Sequence, residues 1–553
     1  MCHAGNIALP ARRVAERPGE ATGTLQVHRP LHVRSPLLLL VLGAACIAER
    51  GPLSNRMANS ATNYLARASR QPVKWQPWGR DAFVLAAKLD RPVLLYVGGE
   101  ACRWCTETDR AIYTDPEIGT LINALFIPIR VDRDERPDVA QRYQTAVERL
   151  AGLHGWPLTV FLTADGAPFF GGTYFPADDP VTGRGLKQLL PEVARSYHDQ
   201  RSVIVQHAAL VRQLMLTGND ASRGVLRTGV IQGAIAAVRS ELDDAVRSRS
   251  AAGSVMHAAA VSLLLTEYAR TRDTVSLAVA RRALYLMLDT AAASAGEDPP
   301  RLVRAALTGL LAQAWVVTGE ARFRESGRAT VRSLARDLRW GSGHEESTDE
   351  RAVFVDQEAY VIEAALLAGA TLGENGAEQR AQSALDGLLQ RAYARGWGVR
   401  HSVGGMLGPA ATTAHGLLQD QVQVASACIA AHQLSGERRY LDVAMDIITL
   451  LDRGYADSLG GYYDTAAPAL PTSAPDVATP ALADRTKHAF DDMLPGANAV
   501  AARVLTRLAE VTGDPSYRRR AEATLEAFAG GVPGSGLRAS TFLSAARETV
   551  ANP

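Results

Sequence analysis

Two hydrophobic rhythms divide the chain. Between Leu53 and Arg201, short apolar runs alternate with stretches of helical period. "PVLLYV" (Pro92 to Val97) is wholly apolar, the pattern of a strand buried on both faces. "LFIPIRVD" (Leu125 to Asp132) and "WPLTVFL" (Trp156 to Leu162) predict two more strands. "APFFGGTYF" predicts a fourth, set off by the turn "TADGA". Between them, "GRDAFVLAAKLD" (Gly79 to Asp90) has helical spacing. "DPEIGTLINA" starts a helix with Asp115 as N-cap and Pro116 in the first position. "RPDVAQRYQTAVERL" is a helix entered through Pro137, and "GLKQLLPEVARSYHDQR" closes the series with a bend expected at Pro191.

From Val225 onward strand patterns almost vanish and one unit recurs: an apolar helix, a short turn, and a second helix led by an aromatic or apolar residue. "LLAQAWVVTGEARFRESGRATVRSLARDL", "ASACIAAHQLSGERRYLDVAMDIITLLDRGY" and "VAARVLTRLAEVTGDPSYRRRAEATLEAFAG" are the clearest copies, turning at Gly319, Gly436 and Gly513. Weaker copies surround them. Repeated helical hairpins whose apolar faces need neighbours form a solenoid or a closed α/α toroid, and five or six hairpins fit the length. The chain is thus expected to combine an α/β unit with an all-α unit.

The chemistry concentrates at "GGEACRWCTETD" (Gly98 to Asp109), directly after the first apolar strand. The cysteines are Cys2, Cys46, Cys102, Cys105 and Cys428, too few for a disulfide-stapled scaffold. Cys428 lies in an apolar helical pattern and reads as a small buried hydrophobe. Cys102 and Cys105 alone have a spacing that invites chemistry. The order helix, strand, CxxC helix, strand, helix, strand, strand, helix is the thioredoxin arrangement, a mixed sheet with helices on both faces. That fold puts a redox pair after the first βα strand. Pro157 begins the strand after the long helix, and a cis Trp156-Pro157 bond is predicted there. At a helix start, unpaired N–H groups and the helix dipole favour a Cys102 thiolate, and Arg103 adds positive charge. Cys105, one turn on, resolves the mixed disulfide. Arg103, Trp104, Trp156 and Pro157 are the candidate substrate contacts. Asp132 is read as a loop cap or as a buried proton acceptor. Two readings stand beside the redox one. Half of a zinc site would need further ligands, with His154 and Asp132 conceivable; the other is two inert thiols in a fold that has lost its activity.

Composition changes this picture little. Lys+Arg number 59 against 58 Asp+Glu, so nothing points to nucleic acid or an anionic surface as partner. Before Leu53, arginines precede "SPLLLLVLGAACIA", a basic region followed by an apolar run too short to span a bilayer. Residues 1–52 are therefore read as an export signal, a lipid anchor or a disordered extension, and only there is membrane attachment expected. The compartment follows from it: cell envelope or exterior if it is a signal, cytoplasm otherwise.

Longer motifs carry a family resemblance. "NRMANSATNYLARASRQPVKWQPWGRDAF", "CRWC", "VDRDERPDV" and "GWPLTVFLTADGAPFFGGTYFP" together resemble the spermatogenesis-associated, thioredoxin-like proteins of bacteria and animals. The resemblance covers nearly all of Leu53 to Arg201. It implies a thioredoxin-like domain, placed at 53–215, followed by a six-hairpin glycosidase-like helical toroid, placed at 225–553. The chain departs from the family pattern at Arg103 and Thr106, where the family has histidines, which weakens the zinc reading. The family's "APKFP" and "DHLGGGFHRYS" signatures are also missing. In the toroid, loops around Asp356, Glu358, Tyr462, Tyr463, His488, Asp491 and Asp492 are candidates for a cleft. An epimerase would need bases on both faces of a carbon, and a glycosidase two carboxylates facing one bond; no sequence spacing enforces either. The leading expectation is a thiol–disulfide oxidoreductase acting on a protein or small-molecule disulfide or thiol, without cofactor or metal, with the toroid as substrate-binding or scaffold module and a carbohydrate as its possible ligand. The alternatives are a carbohydrate-active toroid with an accessory thioredoxin unit, and a non-catalytic interaction protein.

Overall fold

The computed structural model describes residues 53–179, 185–216, 222–249, 255–293, 300–340, 352–404, 416–467 and 484–550. The expected signal or anchor at 1–52 lies outside them. Ser54–Pro553 forms one compact unit. Among the described residues no helix is long and apolar enough to cross a membrane.

A five-stranded sheet opens this unit. After a short helix α1 (Asn63–Arg67), the strands are β1 (Gln76–Pro77), β2 (Val93–Gly98), β3 (Ile127–Asp132), β4 (Leu158–Leu162) and β5 (Pro168–Gly172), in spatial order β1-β3-β2-β4-β5. β3 is parallel to β1 and β2, whereas β4 runs antiparallel to both β2 and β5. Every residue of β2 and β3 is buried, as a strand covered on both faces must be. The covering helices are α2 (Arg80–Leu89), α3 (Arg103–Thr108), α4 (Pro116–Leu125), α5 (Pro137–Ala151), α6 (Leu186–Asp199) and α7 (Arg201–Leu216). Asp115 caps α4 by accepting the Glu117 N–H at 2.8 Å, with Pro116 in the first turn, and Pro137 opens α5. Pro191 sits inside α6. The two-residue β1 was not expected from its sequence; its Gln76 and Pro77 pair with Ile129 and Arg130.

Register brings three loops to one end of the sheet. Gly98 closes β2 opposite Asp132, the last residue of β3. Val97 pairs with Leu158, the first residue of β4, so Trp156 and Pro157 enter the sheet beside the turn that leads to Cys102. The Trp156-Pro157 bond is cis, as expected.

The helical part comprises α8 (Thr228–Arg247), α9 (Val255–Thr271), α10 (Thr274–Ala293), α11 (Arg301–Thr318), α12 (Ala321–Arg336), α13 (Val355–Leu372), α14 (Asn375–Ala392), α15 (Leu418–Ser435), α16 (Arg438–Gly454), α17 (Ala497–Thr512), α18 (Pro515–Glu526) and α19 (Ser540–Thr549). The ring closes: α9, α11, α13, α15, α17 and α19 each pack on the next, and α19 packs back on α9. The remaining helices form an outer layer. This alternation is written in the sequence. α15 is buried almost all round, whereas α12, "ARFRESGRATVRSLAR", has one apolar stripe and a charged outer face. The architecture is therefore a mixed-sheet α/β domain joined to an (α/α) toroid.

The two ends of the ring differ. Inner helices α11, α15 and α17 end at Gly319, Gly436 and Gly513, whose φ of +70, +74 and +74° is the left-handed cap that glycine adopts without strain. These tight turns leave no room for a site. At the opposite end, long connections lead into the inner helices, carrying small antiparallel pairs β6 (Val353–Phe354) with β9 (Ser402–Val403), and β7 (Tyr393–Ala394) with β8 (Gly398–Val399). None of these short strands was expected. This open end is the mouth of the toroid.

Gly98 is a close-packing point beneath the Cys102–Cys105 pair. A Cβ added there would lie 2.1 Å from the Tyr64 Oη and 3.1 Å from the Cys105 Sγ. Gly98→Ala is expected to lower stability by about 1–3 kcal/mol, read as a lower urea midpoint; an unchanged midpoint would refute this packing.

Candidate functional site

Cys102 and Cys105 form a disulfide at the start of α3, with Cα atoms 5.2 Å apart. Cys102 is the N-cap residue, and its Sγ accepts the Cys105 N–H at 3.1 Å. Cys105 is fully buried and Cys102 nearly so, while Arg103 is exposed and the Trp104 ring is 64% exposed. α3 continues through a π turn, Asp109–Tyr113. Beneath it lies an aromatic cage. The Arg130 guanidinium, fully buried on β3, grips both oxygens of Asp109 at 2.7 and 2.6 Å. It also lies 4.3 Å from the Tyr64 ring centroid and 5.0 Å from that of Tyr96. The Tyr96 hydroxyl donates to the Cys105 carbonyl at 3.4 Å. A cation that is paired and faced by π surfaces tolerates such burial, so this cage fixes the floor on which α3 rests.

Asp132 ends β3 across from Gly98 and is 2% exposed. Its Oδ1 accepts the Asp134 N–H at 3.0 Å, so it caps the loop as one expectation held. It is also a displaced acid: burial and the nearby Asp134 carboxylate push its carboxyl up to about 7. Arg133 follows. Its N–H donates to the Gly98 carbonyl at 2.8 Å, and its guanidinium lies 5.4 Å from the Trp156 ring. Arg133 thus joins the CxxC turn to the loop of the cis bond.

Arg133 and Trp156 also form one wall of a cavity of about 130 Å³ between this end of the sheet and the mouth of the toroid. The facing walls include Asp356, Gln357, Asp464, His488 and Asp492. The structure therefore brings Trp156, Asp356, His488 and Asp492 together from distant parts of the sequence. Trp156 Nε1 is buried there without a hydrogen-bond partner among the described residues. His488 pairs through Nδ1 with Asp464. Other candidates lie elsewhere. Tyr462 is packed in the ring's core, its N–H donating to Asn498 Oδ1 at 2.7 Å. Asp491 accepts the N–H groups of Gly496 at 3.0 Å and Thr541 at 2.9 Å, joining the starts of α17 and α19. Burial pushes its carboxyl up to about 6 despite those bonds. Glu358 is buried and ion-paired to Arg301. Tyr463 lines a separate polar cleft with Arg485 and Lys487.

The residue that sequence reasoning missed is His401. It lies between the short strands of the mouth, 1% exposed, with no periodicity to mark it. Its Nδ1 is 3.0 Å from Asp420 Oδ1, and its Nε2 donates to the Asp134 carbonyl of the sheet domain at 2.8 Å. Both ring nitrogens face acceptors, which requires an imidazolium. Burial alone would lower its pKa, but Asp420, and behind it Asp356, raise it to about 10. Asp356, beside Asp420, is pushed up to about 7 by burial and by that like charge. Asp134 and Glu135, on the facing loop, are also raised by burial. Asp356, His401 and Asp420 are close enough to share an ion. In this arrangement His401 has no lone pair to offer, so the group acts as an ion-pair bolt between ring and sheet. Cys102 and Cys105 are joined in a disulfide, and among the described residues the grouping close enough to hold a metal ion, Asp356, His401 and Asp420, includes neither of them.

The fold and site define a class: a thioredoxin-type domain with a CxxC disulfide, bolted to the mouth of a helical toroid. Residues 54–215 match the family described as "Protein of unknown function, DUF255", a thioredoxin DsbH-type family. Through this domain the chain is similar to that family. Spermatogenesis-associated protein 20 of Rattus norvegicus is 36% identical over 171 residues, 31% of this chain and 22% of that protein. The human protein of the same name is 35% identical over 170 residues, also 31% and 22%. The uncharacterized protein B0495.5 of Caenorhabditis elegans is 34% identical over 161 residues, 29% and 22%. The match spans about a fifth of the length of these three animal proteins. Solved structures similar to this chain include an unsaturated glucuronyl hydrolase from Bacillus sp. GL1 (TM-score 0.43, 15% identity, 54% of this chain and 84% of that one) and a D-mannose isomerase (TM-score 0.39, 11% identity, 50% and 75%). The likeness is loose; the ring's own closure establishes the toroid here.

The bolt makes stability pH-dependent. His401 has a raised folded pKa, so its contribution is complete below the unfolded value near 6.5 and is lost as pH rises through about 10. His401→Gln is expected to cost about 3–5 kcal/mol at pH 6 and to flatten the decline in stability across that window. Urea unfolding at a series of pH values measures both; an unaltered pH profile in the variant would assign the decline to other groups.

Proposed function

We propose that the protein is a thiol–disulfide oxidoreductase acting through Cys102 and Cys105, with the mouth of the toroid as the wall against which its substrate lies. The observation that carries this reading is the convergence at one sheet end of the disulfide, the buried acid Asp132 and the Trp156-Pro157 loop.

The exchange balances with sulfur alone. A substrate thiolate attacks Cys102 Sγ, a substrate–Cys102 disulfide forms, and the Cys102–Cys105 bond breaks with its electron pair on Cys105. Asp132, poised near neutrality, supplies the proton that Cys105 takes up. A second substrate thiolate then attacks the substrate sulfur and expels Cys102. The substrate dithiol is oxidised and the pair reduced; a substrate disulfide runs the steps backwards. The exposed Trp104, with Trp156 and Pro157, offers apolar contact, and the unpartnered Trp156 Nε1 offers a donor to a substrate carbonyl. Asp356, His488 and Asp492 complete the far wall.

Reduction of a small aromatic disulfide by the pre-reduced full chain tests this reading. Cys102→Ser is expected to abolish it, and Cys105→Ser to accumulate a mixed disulfide on Cys102. Asp132→Asn is expected to slow turnover about tenfold or more and to remove the inflection near neutral pH. Full activity in Cys102→Ser would overturn the proposal; an unmoved inflection in Asp132→Asn would restrict that residue to capping.

A further inference from the structure

Inside the toroid, below the mouth, lies a second cavity of about 230 Å³, and all six inner helices contribute to its wall. Small side chains open it. Ala258, Ala305, Gly309 and Ala364 stand where larger residues would meet on the ring axis. A Cβ built on Gly309 meets nothing within 4 Å.

The wall is polar in a particular sense. Arg503 and Arg507 face it from α17, against one carboxylate, Glu363 of α13. Arg507 reaches Glu363 Oε1 at 3.3 Å, and Ser426 donates to the same oxygen at 2.7 Å. Glu548 engages Arg503 through Nε at 3.1 Å. Gln423, also in the wall, is 1% exposed, and its Nε2 is buried without a partner. A buried amide left unpaired is destabilising. The fold retains it beside two guanidiniums in an open cavity.

We infer that this axial cavity is a binding site for a small hydroxylated carboxylate, its carboxylate received by Arg503 and Gln423 Nε2 and its hydroxyls by Glu363 and Ser426. Two guanidiniums and the unpartnered Gln423 amide nitrogen face one carboxylate in the wall, which favours an acceptor-rich anion. Guanidinium forks suit a carboxylate's paired oxygens. The volume suits a metabolite of about a dozen heavy atoms. The site shares no residue with the disulfide exchange and stands whether or not that exchange occurs.

Calorimetry of the full chain with gluconate as probe, and with glucose and acetate as partial probes, tests this. Gluconate is expected to bind at one site, with glucose and acetate each weaker by about tenfold or more. Arg503→Gln is expected to weaken gluconate about tenfold or more, and Gly309→Leu, which fills the cavity, to abolish binding. Both variants should keep the parent's rate of Cys102–Cys105 reduction by dithiothreitol, which reads the integrity of the sheet domain. No gluconate binding up to about 10 mM, equal binding of glucose, or binding retained in Gly309→Leu would each overturn the inference.

Discussion

One buried imidazolium holds the two halves of this molecule in register. His401 belongs to the toroid, yet its Nε2–H ends on the backbone carbonyl of Asp134 in the sheet domain. Removing such a charge from water costs several kcal/mol unless it is paired and all its protons are bonded. Here Asp420 supplies the charge, the Asp134 carbonyl takes the second proton, and the Phe354 ring stacks at 5.2 Å. Asp420 is in turn fixed by the Asp356 N–H at 3.1 Å. A charged group used this way adds direction: an apolar contact tolerates sliding, but an imidazolium with two acceptors fixes the loop Arg133–Glu135 against the mouth. Other polar contacts follow the same seam, with Arg212 of α7 gripping Asp484 and Arg538 lying 3.6 Å from Glu148.

That fixed loop gives the disulfide end of the sheet its geometry. Arg133 touches the turn after β2 and the Trp156 ring at once, so the position of the toroid is transmitted to both sides of the disulfide through one side chain. The asymmetry of the ring serves the same end. Tight glycine turns close its far side, and all the length available for function goes into the connections at the mouth. An α/α ring of this kind has one busy face by construction, and here the sheet domain occupies part of it.

Much of this was legible in the sequence because it is periodic. Apolar runs such as "PVLLYV" and hairpin repeats with Gly319, Gly436 and Gly513 report local geometry directly. The CxxC and Trp156-Pro157 were legible because each carries its meaning within a few residues. The bolt was not. His401 sits in a short irregular link, and Asp420 lies in the first turn of α15, where the helix dipole favours any carboxylate. Their meaning comes from 3D pairing across large sequence separations, which no local pattern encodes. For the same reason Asp491 and Tyr462, plausible as cleft residues in a loop-rich segment, prove to be a helix-joining acceptor and a core aromatic. Asp356 looked alike from sequence and does line the cavity. What separates them is the direction in which each backbone turns.

The arginine at the cysteine pair can be judged on the same physical scale. Arg103 replaces a histidine of the family pattern, and it first suggested a local source of positive charge. Its side chain is exposed, so water and salt screen its field over a Debye length of about 8 Å. The Cys105 N–H, 3.1 Å from Cys102 Sγ, is by contrast buried and permanently aimed at the sulfur. A fixed dipole in a desolvated position outweighs a mobile charge in water. The pair is therefore poised by its backbone, which the Arg130 cage and the Gly98 contact hold in place from below.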